Sequence, residues 1–438
     1  MARYRERSLP AGRGPRAQLT CLLGPLLVLG CGSDRATPDA GQDVPDANTL
    51  ESEGSIGIAP NLDARIGLAG GSVCDVSAQC LSGACTLGIC SDWAHAILIG
   101  IDTTAAGADV SEAVMEFPLL VRLDAMNFAF GEARRDGADI RFLDASGNNL
   151  GYEIERWDAE KAVAELWVLV PRITGDSRNN FVSMYWGNPL SATTSFGPSV
   201  FGGSSCVFHM GEDTNISATQ IEDDSGQDNT GLVLGTPGTD PRGDGIIGSG
   251  LALDGKSTYL ATLLQQAPPQ RVTISLWLKT TSTTGGGIAG FASKPSGNDV
   301  LFDRSIAMDS SGRLSFAVLH GSAPATVTSL ASYDDGQWHF IVARFSSSGQ
   351  YLFVDGDSVA DDPTMTGADS YEGYWRFGEE PTTAPSAVAP DAAVSTGDFI
   401  SGSIDEARVT TDETSDAWIK LSYATQRPGA AAVVYPAR

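Results

Sequence analysis

The chain has 438 residues and a formal net charge of −26 at pH 7, and this length accommodates two or three domains. Such an excess of acidic groups repels phosphate backbones, which argues against nucleic acid as a partner. The 50 glycines, together with many Thr, Ser and Val residues, favour turns and strands over long helices.

Residues 1–30 have the features of a secretory signal peptide. Several arginines precede an apolar run, residues 19–29, that ends in Val28-Leu29-Gly30-Cys31; this run is too short to span a bilayer of about 30 Å. A small residue followed by Cys31 resembles the lipobox of bacterial lipoproteins. The resemblance implies that Cys31 is lipidated and that the mature protein is held by this lipid in a membrane. Gly32, in place of Asp, implies the outer membrane or cell surface. A plain secretory signal with a free Cys31 is the alternative.

Residues 31–70 are rich in Asp, Ala, Gly and Pro and show no apolar period. This composition predicts a disordered acidic tether, because such a segment buries too little apolar surface to fold. A flexible segment of this length has a root-mean-square reach of roughly 35 Å. The tether would therefore let the folded part of the chain stand clear of the membrane.

Residues 71–92 form a short cysteine-rich module with Cys74, Cys80, Cys85 and Cys90. In an exported protein an even, dense set of cysteines predicts disulfides, here two, whose pairing the sequence leaves open. A zinc site is the alternative, although the cysteine spacing fits it only loosely. The pattern resembles small Cys-rich repeats of myxobacterial surface proteins. Cys206, much later in the chain, is left over and is predicted to be a buried apolar residue.

Residues 93–197 predict a first β-sandwich. Runs typical of strands recur at regular spacing, with turns between them, at 117–123, 140–144, 152–157, 164–171 and 181–188. Four motifs in order, at 136–142, 152–155, 166–171 and 184–188, resemble a bacterial domain of unknown function. That domain often precedes a LamG-like jelly roll, and it implies no established chemistry.

Residues 198–430 predict a second sandwich. Its strand motifs include 250–255, 272–279, 337–345, 351–356 and 399–409, and their order resembles the LamG-like, concanavalin A-type jelly roll. Asp355-Gly356 is a turn signal, Trp277 and Trp338 are predicted to fill the core, and 415–423 predicts a short final helix. The fold class expected from the sequence is therefore all-β, with two β-sandwich domains after the tether and the disulfide-rich module.

No residue set makes a convincing catalytic site. Glu153 and Glu155 share one face of a strand while Asp158 points away, so the three acids do not form a glycosidase pair, and hydrogen-bonded or solvated acids are the simpler interpretation. Concanavalin-type hydrolases carry Glu-x-Asp-x-x-Glu, and residues 206–423 hold no such run. The four histidines are His95, His209, His320 and His339. None of them lies at metal-ligand spacing from another, and His339 is predicted to be structural. We therefore expect a protein that is not an enzyme.

Calcium is the cofactor that the jelly-roll resemblance implies, held in rim loops. The candidate ligands are Asp223, Asp224, Asp228, Asp254 and Asp405, and turn-forming Asp is the alternative for each of them. Three aromatic residues have the chemistry to stack on sugar rings, although burial in the sandwich is the commoner fate of such residues. These are Tyr371, Tyr374 and Trp375.

The function expected from the sequence is binding. The jelly roll would recognise a glycan, or an envelope or extracellular protein, through its face or rim. A polysaccharide-acting hydrolase and a structural spacer without a ligand are the two alternatives, since a fold alone does not give a function.

Overall fold

The computed structural model describes residues 92–211, 220–235, 241–297, 301–321, 323–381 and 399–436, and before them the backbone of two short strands. These are β1 (Cys85–Thr86) and β2 (Ile89–Cys90), which pair antiparallel. Cys31, the tether and the side chains of the four clustered cysteines lie outside the described residues, so lipidation and disulfides remain predictions. Within the described ranges, no helix has both the length and the apolar character needed to cross a membrane.

The first sandwich consists of two antiparallel sheets. Its strands are β3 (His95–Ile101), β4 (Val114–Asp124), β5 (Arg141–Leu143), β6 (Tyr152–Asp158), β7 (Val163–Ile173) and β8 (Asn180–Trp186). One sheet has the order β4-β7-β6, and the other contains β3-β8-β5. A short 3-10 helix, Phe130–Glu132, lies between β4 and β5. The strands predicted for residues 117–188 are thereby confirmed.

The sheet of β4, β7 and β6 is buried on both faces. Along β4, Phe117, Leu119 and Val121 face the core of the first sandwich, whereas Leu120 faces the second sandwich. Trp167 in β7 likewise points away from its own core. Burial on both faces explains why residues 117–121 are a continuous apolar run rather than an alternating one.

The second sandwich is a jelly roll of two large antiparallel sheets, entered through a short helix, α1 (Pro198–Phe201). Its strands are β9 (Ser204–Phe208), β10 (Gln220–Ile221), β11 (Gly231–Leu234), β12 (Arg242–Asp244), β13 (Ser249–Asp254), β14 (Tyr259–Thr262), β15 (Val272–Lys279), β16 (Gly286–Ala292), β17 (Phe302–Met308), β18 (Arg313–His320), β19 (Ala323–Ser332), β20 (Trp338–Ser346), β21 (Gly349–Val354), β22 (Asp357–Asp362), β23 (Tyr374–Phe377) and β24 (Ser401–Thr410). One sheet has the order β10-β11-β14-β23-β16-β17-β18-β19. The other has the order β12-β13-β24-β15-β20-β21-β22, and β9 also pairs with β24.

Alternation along β15 separates the jelly-roll core from the outer face of its sheet. Val272, Ile274, Leu276 and Leu278 point into the core between the two sheets. Trp277 is buried, but on the opposite face, in a cluster with Phe340 and Phe353. Trp277 therefore fills a hydrophobic core, as predicted, but that core lies on the outer face of its sheet. Trp338 is only partly buried against the same cluster, which corrects the prediction for this residue.

The predicted final helix is α2 (Asp416–Gln426). Ser415 caps it by accepting a hydrogen bond from the backbone N–H of Trp418 at 3.1 Å. Ile419 packs on the outer face of the jelly-roll sheet, whereas Leu421 and Ala424 belong to the core of the first sandwich. The helix therefore stabilises both sandwiches at once.

The predicted Asp355-Gly356 turn is confirmed by its backbone. Both residues have positive φ angles, 56° and 90°, and the turn joins β21 to β22. Asn, Asp and Gly adopt this left-handed region at the least steric cost, which is why this dipeptide is a turn signal. Cys206, in β9, is fully buried in the jelly-roll core as a free thiol, as predicted.

The end of the chain returns to the first sandwich. β25 (Val433–Val434) pairs antiparallel with β3 and completes the sheet order β25-β3-β8-β5. The hydroxyl of Tyr435 accepts a hydrogen bond from the backbone N–H of Arg122 at 2.9 Å. The first sandwich is thus built from two segments of sequence that flank the jelly roll.

Candidate functional site

Acidic side chains from both sandwiches converge on one buried histidine. His209 follows β9; its Nε2 faces Glu153 of β6, and its Nδ1 faces both Glu155 of β6 and Glu406 of β24. Its Nδ1 lies 2.8 Å from Oε1 of Glu406 and 3.6 Å from Oε2 of Glu155, and its Nε2 lies 3.5 Å from Oε2 of Glu153. All four side chains are at most 10% exposed. We call these residues the junction cluster.

Strand geometry brings the two glutamates of β6 together. The prediction that Glu153 and Glu155 share a face is confirmed, because both reach His209. A register shift between Ile154 and Arg156 interrupts the pairing of β6 with β7 at this point. Asp158 lies at the end of the strand, 2.9 Å from Lys161, and takes no part in the cluster.

Burial and the neighbouring charges shift the pKa values of the junction cluster in different directions. Burial raises the pKa of Glu155 well above its usual range, and the charge of Glu406 adds to the effect. Burial alone would lower the pKa of His209, but the carboxylates of Glu406, Glu155 and Glu153 outweigh it and raise that pKa well above its ordinary value. Burial also opposes ionisation of Glu406, yet His209 and Arg408 hold its pKa below the usual value. The cluster therefore centres on the Glu406–His209 ion pair, and burial together with the charge of Glu406 disfavours a second negative charge on Glu155.

Arg408 connects the junction cluster to the surface. Its Nη2 donates to Oε2 of Glu406, and its guanidinium carbon lies 4.2 Å from the ring centre of Trp167 and 4.6 Å from that of Phe201. The indole nitrogen of Trp167 in turn donates to Glu155 at 2.7 Å. Among the described contacts the Nε of Arg408 is buried without a hydrogen-bond partner, and Arg408 lines an open cleft.

That cleft lies between the two sandwiches and has a volume of about 610 Å³, which is within the range of small-molecule sites. One wall is β4 with the residue before it (113–118), and the other is formed by β15, the end of β24 and the loop 412–415. Residues 198–204 and Arg408 form the floor, and Trp418 borders it. Seven hydroxyl side chains line the cleft: Ser199, Ser204, Thr273, Ser275, Thr410, Thr414 and Ser415. Three carboxylates join them: Glu116, Asp412 and Glu413.

The five predicted calcium ligands do not form one site. Asp223 accepts hydrogen bonds from the backbone N–H groups of Val207, Ser225 and Asn229 at 2.9–3.0 Å. Asp228 is an exposed turn residue with a φ of 56°, and Asp254 accepts from three successive N–H groups of its own turn. These three side chains serve local loop structure, which is the alternative that the sequence left open.

The other two predicted ligands lie at the junction. Asp405 is fully buried and accepts from the N–H groups of Ile246 and Ile247 at 2.8 and 3.0 Å. Asp224 lies beside Glu153 and His209, with ligand atoms of the three residues within 4.8 Å of one another. Only Asp224 among the five candidates thus belongs to a group of three ligating side chains within the described ranges.

None of the three predicted aromatic residues is among the described residues that line the cleft. Trp375 is completely buried in the jelly-roll core. Tyr371 packs on Phe291 and donates its hydroxyl proton to the carbonyl of the same residue at 2.7 Å. Tyr374 is half-buried on the edge of β23. The aromatic groups of the cleft, Trp418 and Phe201, were absent from the predicted set.

The remaining histidines have structural surroundings. His339 lies between Asp355 at 2.7 Å and Asp335 at 3.2 Å. His95 stacks on Trp186 with ring centres 5.3 Å apart, and His320 is exposed at the end of β18. A role in the junction cluster therefore distinguishes His209 from the other three.

Two family models match the chain over these domains. A model described as a domain of unknown function, DUF2341, matches residues 136–220, and one described as the concanavalin A-like lectin/glucanases superfamily matches residues 254–420. The chain therefore contains a DUF2341 domain followed by a LamG-like, concanavalin A-like domain, as the sequence motifs predicted. No curated protein sequence matches the chain.

Several solved structures resemble the jelly roll at low sequence identity. Domain 4 of AbnA, an extracellular arabinanase of Geobacillus stearothermophilus in complex with arabinotriose, is 17% identical over 50% of this chain and 96% of that one, with a TM-score of 0.35. The binding domain of botulinum neurotoxin DC in complex with SialylT is 13% identical over 52% of each chain, with a TM-score of 0.36. A SAP-like pentraxin of Limulus polyphemus is 13% identical over 37% of this chain and 73% of that one, with a TM-score of 0.28. At these scores the likenesses carry no argument about function.

Proposed function

We propose that the protein binds carbohydrate in the cleft between its two sandwiches and displays this site at the cell envelope from a lipidated Cys31. The observation that carries the proposal is the lining of the cleft. A floor with a buried arginine and walls rich in hydroxyl and carboxylate groups occur next to a concanavalin A-like lectin/glucanase domain.

The lining suits a polyhydroxylated ligand. Hydroxyl groups of Ser and Thr both donate and accept, and carboxylates accept from sugar hydroxyls in strong charge-assisted bonds. The guanidinium of Arg408 places a positive charge at the floor of the cleft. Trp418, half-buried at the border of the cleft, offers apolar ring surface for the C–H face of a sugar. The site thus combines convergent polar groups with an apolar surface, as binding pockets do.

The charge of the cleft favours neutral or amino sugars over uronic acids. Glu116, Asp412 and Glu413 are exposed at its rim, and Arg408 is the one cation among the described lining residues. The chain as a whole is also strongly acidic, so that an anionic polysaccharide would be repelled.

Binding without hydrolysis fits the placement of the suspected catalytic acids. Glu153 and Glu155 are buried in the junction cluster, behind the floor of the cleft, and do not line it. A glycosidase needs two carboxyl groups on either side of the scissile bond. The acids once suspected of catalysis therefore have no access to a glycan in the cleft.

A glycan array probed with the purified full chain, with and without calcium, tests the binding proposal. We expect binding to a set of neutral or amino-sugar glycans, and no release of reducing sugar on prolonged incubation. Absence of binding to every glycan would favour the structural spacer. Release of reducing sugar would favour the hydrolase.

The anchor is tested separately by metabolic labelling with palmitate. Wild-type protein is expected to incorporate the label and Cys31→Ser to lose it, because a lipobox cysteine is the acceptor of the acyl chains. An unlabelled wild-type protein would contradict the anchor and leave the binding proposal intact.

A further inference from the structure

We infer that Glu153, His209 and Asp224 form a binding site for a divalent transition metal of the zinc type at the junction of the two sandwiches. Ligand atoms of the three side chains lie within 4.8 Å of one another. Each residue comes from a different segment: β6, the end of β9, and the loop before β11. The inference does not depend on glycan binding.

Two of the ligand atoms are buried and without a hydrogen bond. Oε2 of Glu153 and Nε2 of His209 both lack a partner, in side chains of residues only 8% and 4% exposed. Buried polar atoms normally have hydrogen-bond partners, because an unpaired buried polar atom loses its interactions with water without replacement. The two atoms face each other at 3.5 Å as an ion pair without hydrogen-bond geometry, so both keep bonding capacity for a shared ligand.

Their separation matches a shared metal ion. Two ligands bound at about 2.1 Å to one tetrahedral zinc ion are about 3.4 Å apart. Nε2 of His209 and Oε2 of Glu153 are 3.5 Å apart. Gly197 leaves space beside them, since a Cβ there would come within 3.1 Å of the same glutamate oxygen.

The rest of the junction cluster provides the outer support that a metal-bound histidine needs. Such a histidine usually donates its other ring N–H to a carboxylate, which fixes the tautomer and the ring orientation. Nδ1 of His209 lies 2.8 Å from Glu406, whose second oxygen accepts from Arg408. Nε2 would then bind the metal in place of the proton that it carries in the charged Glu406–His209 pair.

A second group of potential ligands, Glu155, His209 and Glu406, shares the histidine. Arg408 contacts that group, and Glu155 already accepts from Trp167, so a cation there would be repelled and its ligands are in use. The Glu153 side has two carboxylates, whose combined charge balances a divalent ion. Asp224 is only half-buried, which gives the ion a route from solvent.

The ligand set selects the class of metal. Imidazole with carboxylates suits zinc and its neighbours, whereas calcium takes six to eight oxygen ligands. The proposed site therefore differs in chemistry from the calcium site that the jelly-roll resemblance implied, although it uses Asp224 from that set.

Titration of the metal-free full chain with zinc chloride, followed by calorimetry and by metal analysis after dialysis, tests the inference. We expect one equivalent bound by wild type and by the control Asp228→Asn, which alters an exposed carboxylate of the same loop. Glu153→Gln and Asp224→Asn should each weaken zinc binding more than about 100-fold, since loss of an outer-shell partner alone costs about 10–100-fold. Cobalt substitution should give the strong visible absorption of a tetrahedral site.

Three outcomes would overturn the inference: no zinc binding by wild type, zinc binding unchanged in both ligand variants, or calcium bound more tightly than zinc at these residues. Asp224→Asn changes a half-buried side chain, so it keeps the test decisive if Glu153→Gln fails to fold. Because zinc is measured without any glycan, failure here leaves the carbohydrate proposal standing.

Discussion

Asp254 shows at the scale of one residue how a predicted ligand becomes a structural group. It accepts from the backbone N–H groups of Lys256, Ser257 and Thr258 at 2.8–2.9 Å. Burial opposes its ionisation, but these hydrogen bonds prevail and hold the pKa of Asp254 well below its usual value. The residue therefore closes the turn between β13 and β14 through hydrogen bonds to its carboxylate.

We predict that Asp254→Ala lowers the free energy of unfolding by about 1 kcal/mol and leaves calcium and zinc binding unchanged. Because the pKa is depressed in the folded protein, the contribution is complete above the unfolded-state pKa of about 4 and disappears as the pH falls through the folded-state value. Urea denaturation of wild type and Asp254→Ala at several acidic pH values measures whether their free energies of unfolding converge as the pH falls. A calcium affinity that falls in the variant would restore Asp254 as a ligand.

His339 has the opposite pH dependence. Burial alone would lower its pKa, but hydrogen bonds to Asp355 and Asp335 and their charges raise it; Tyr333 packs edge-on against the ring. Stability from the imidazolium is then fully present below about pH 6.5 and is lost as the pH rises through the folded-state pKa. His339→Ala should therefore destabilise the protein by about 1–2 kcal/mol in mild acid and by less in alkali. A destabilisation of His339→Ala relative to wild type that grows as the pH rises would contradict this prediction.

At the scale of elements, the segment after the jelly roll stabilises the first sandwich. β25 pairs with β3, the carbonyl of Ala432 accepts from Asp102 N–H at 2.8 Å, and Tyr435 binds Arg122 N–H. Deletion of residues 429–438 should lower the free energy of unfolding by about 3 kcal/mol, at about 1 kcal/mol per lost hydrogen bond. A chain lacking only 437–438 is the control. Equal thermal unfolding of the two truncated chains would refute the role of β25.

The strands could be predicted because their signals are local. The alternation in 272–279 and the Asp355-Gly356 dipeptide report on neighbours a few residues away. The outward orientation of Trp277 could not be predicted, since it depends on α2, whose Gln426 accepts from the indole N–H at 2.8 Å.

The junction cluster could be predicted even less. Glu153 and Glu406 meet at one histidine although about 250 residues separate them, and only the docking of two sandwiches brings them together. His209 was visible in the sequence merely as one of four histidines.

At the scale of the whole molecule, the two sandwiches share buried surface. Leu120 and Trp167 of the first sandwich pack with Val207 and Ile247 of the jelly roll. Helix α2 packs in the core of the first sandwich and on the outer face of the jelly-roll sheet. Folding should therefore be cooperative across the domain boundary. We predict one unfolding transition for wild type and a lower midpoint, still as a single transition, for Trp167→Ala, which should cost about 3–5 kcal/mol. Calorimetry that resolves two transitions in the wild-type protein would show independent domains.

The cleft exists only because the sandwiches are docked, so a variant that fills it tests the central claim. Ala113 is exposed at the edge of the cleft beside β4, and Ala113→Trp adds bulk there without removing a contact. Ala145→Trp, in an exposed turn outside the cleft, is the matched control.

The decisive measurement is calorimetric titration of wild type, Ala113→Trp and Ala145→Trp with the glycan that the array identifies. We predict that Ala113→Trp lowers the affinity at least about tenfold, or 1.4 kcal/mol, whereas Ala145→Trp retains the wild-type value. An unchanged affinity in a folded Ala113→Trp protein would place the glycan elsewhere and contradict the account.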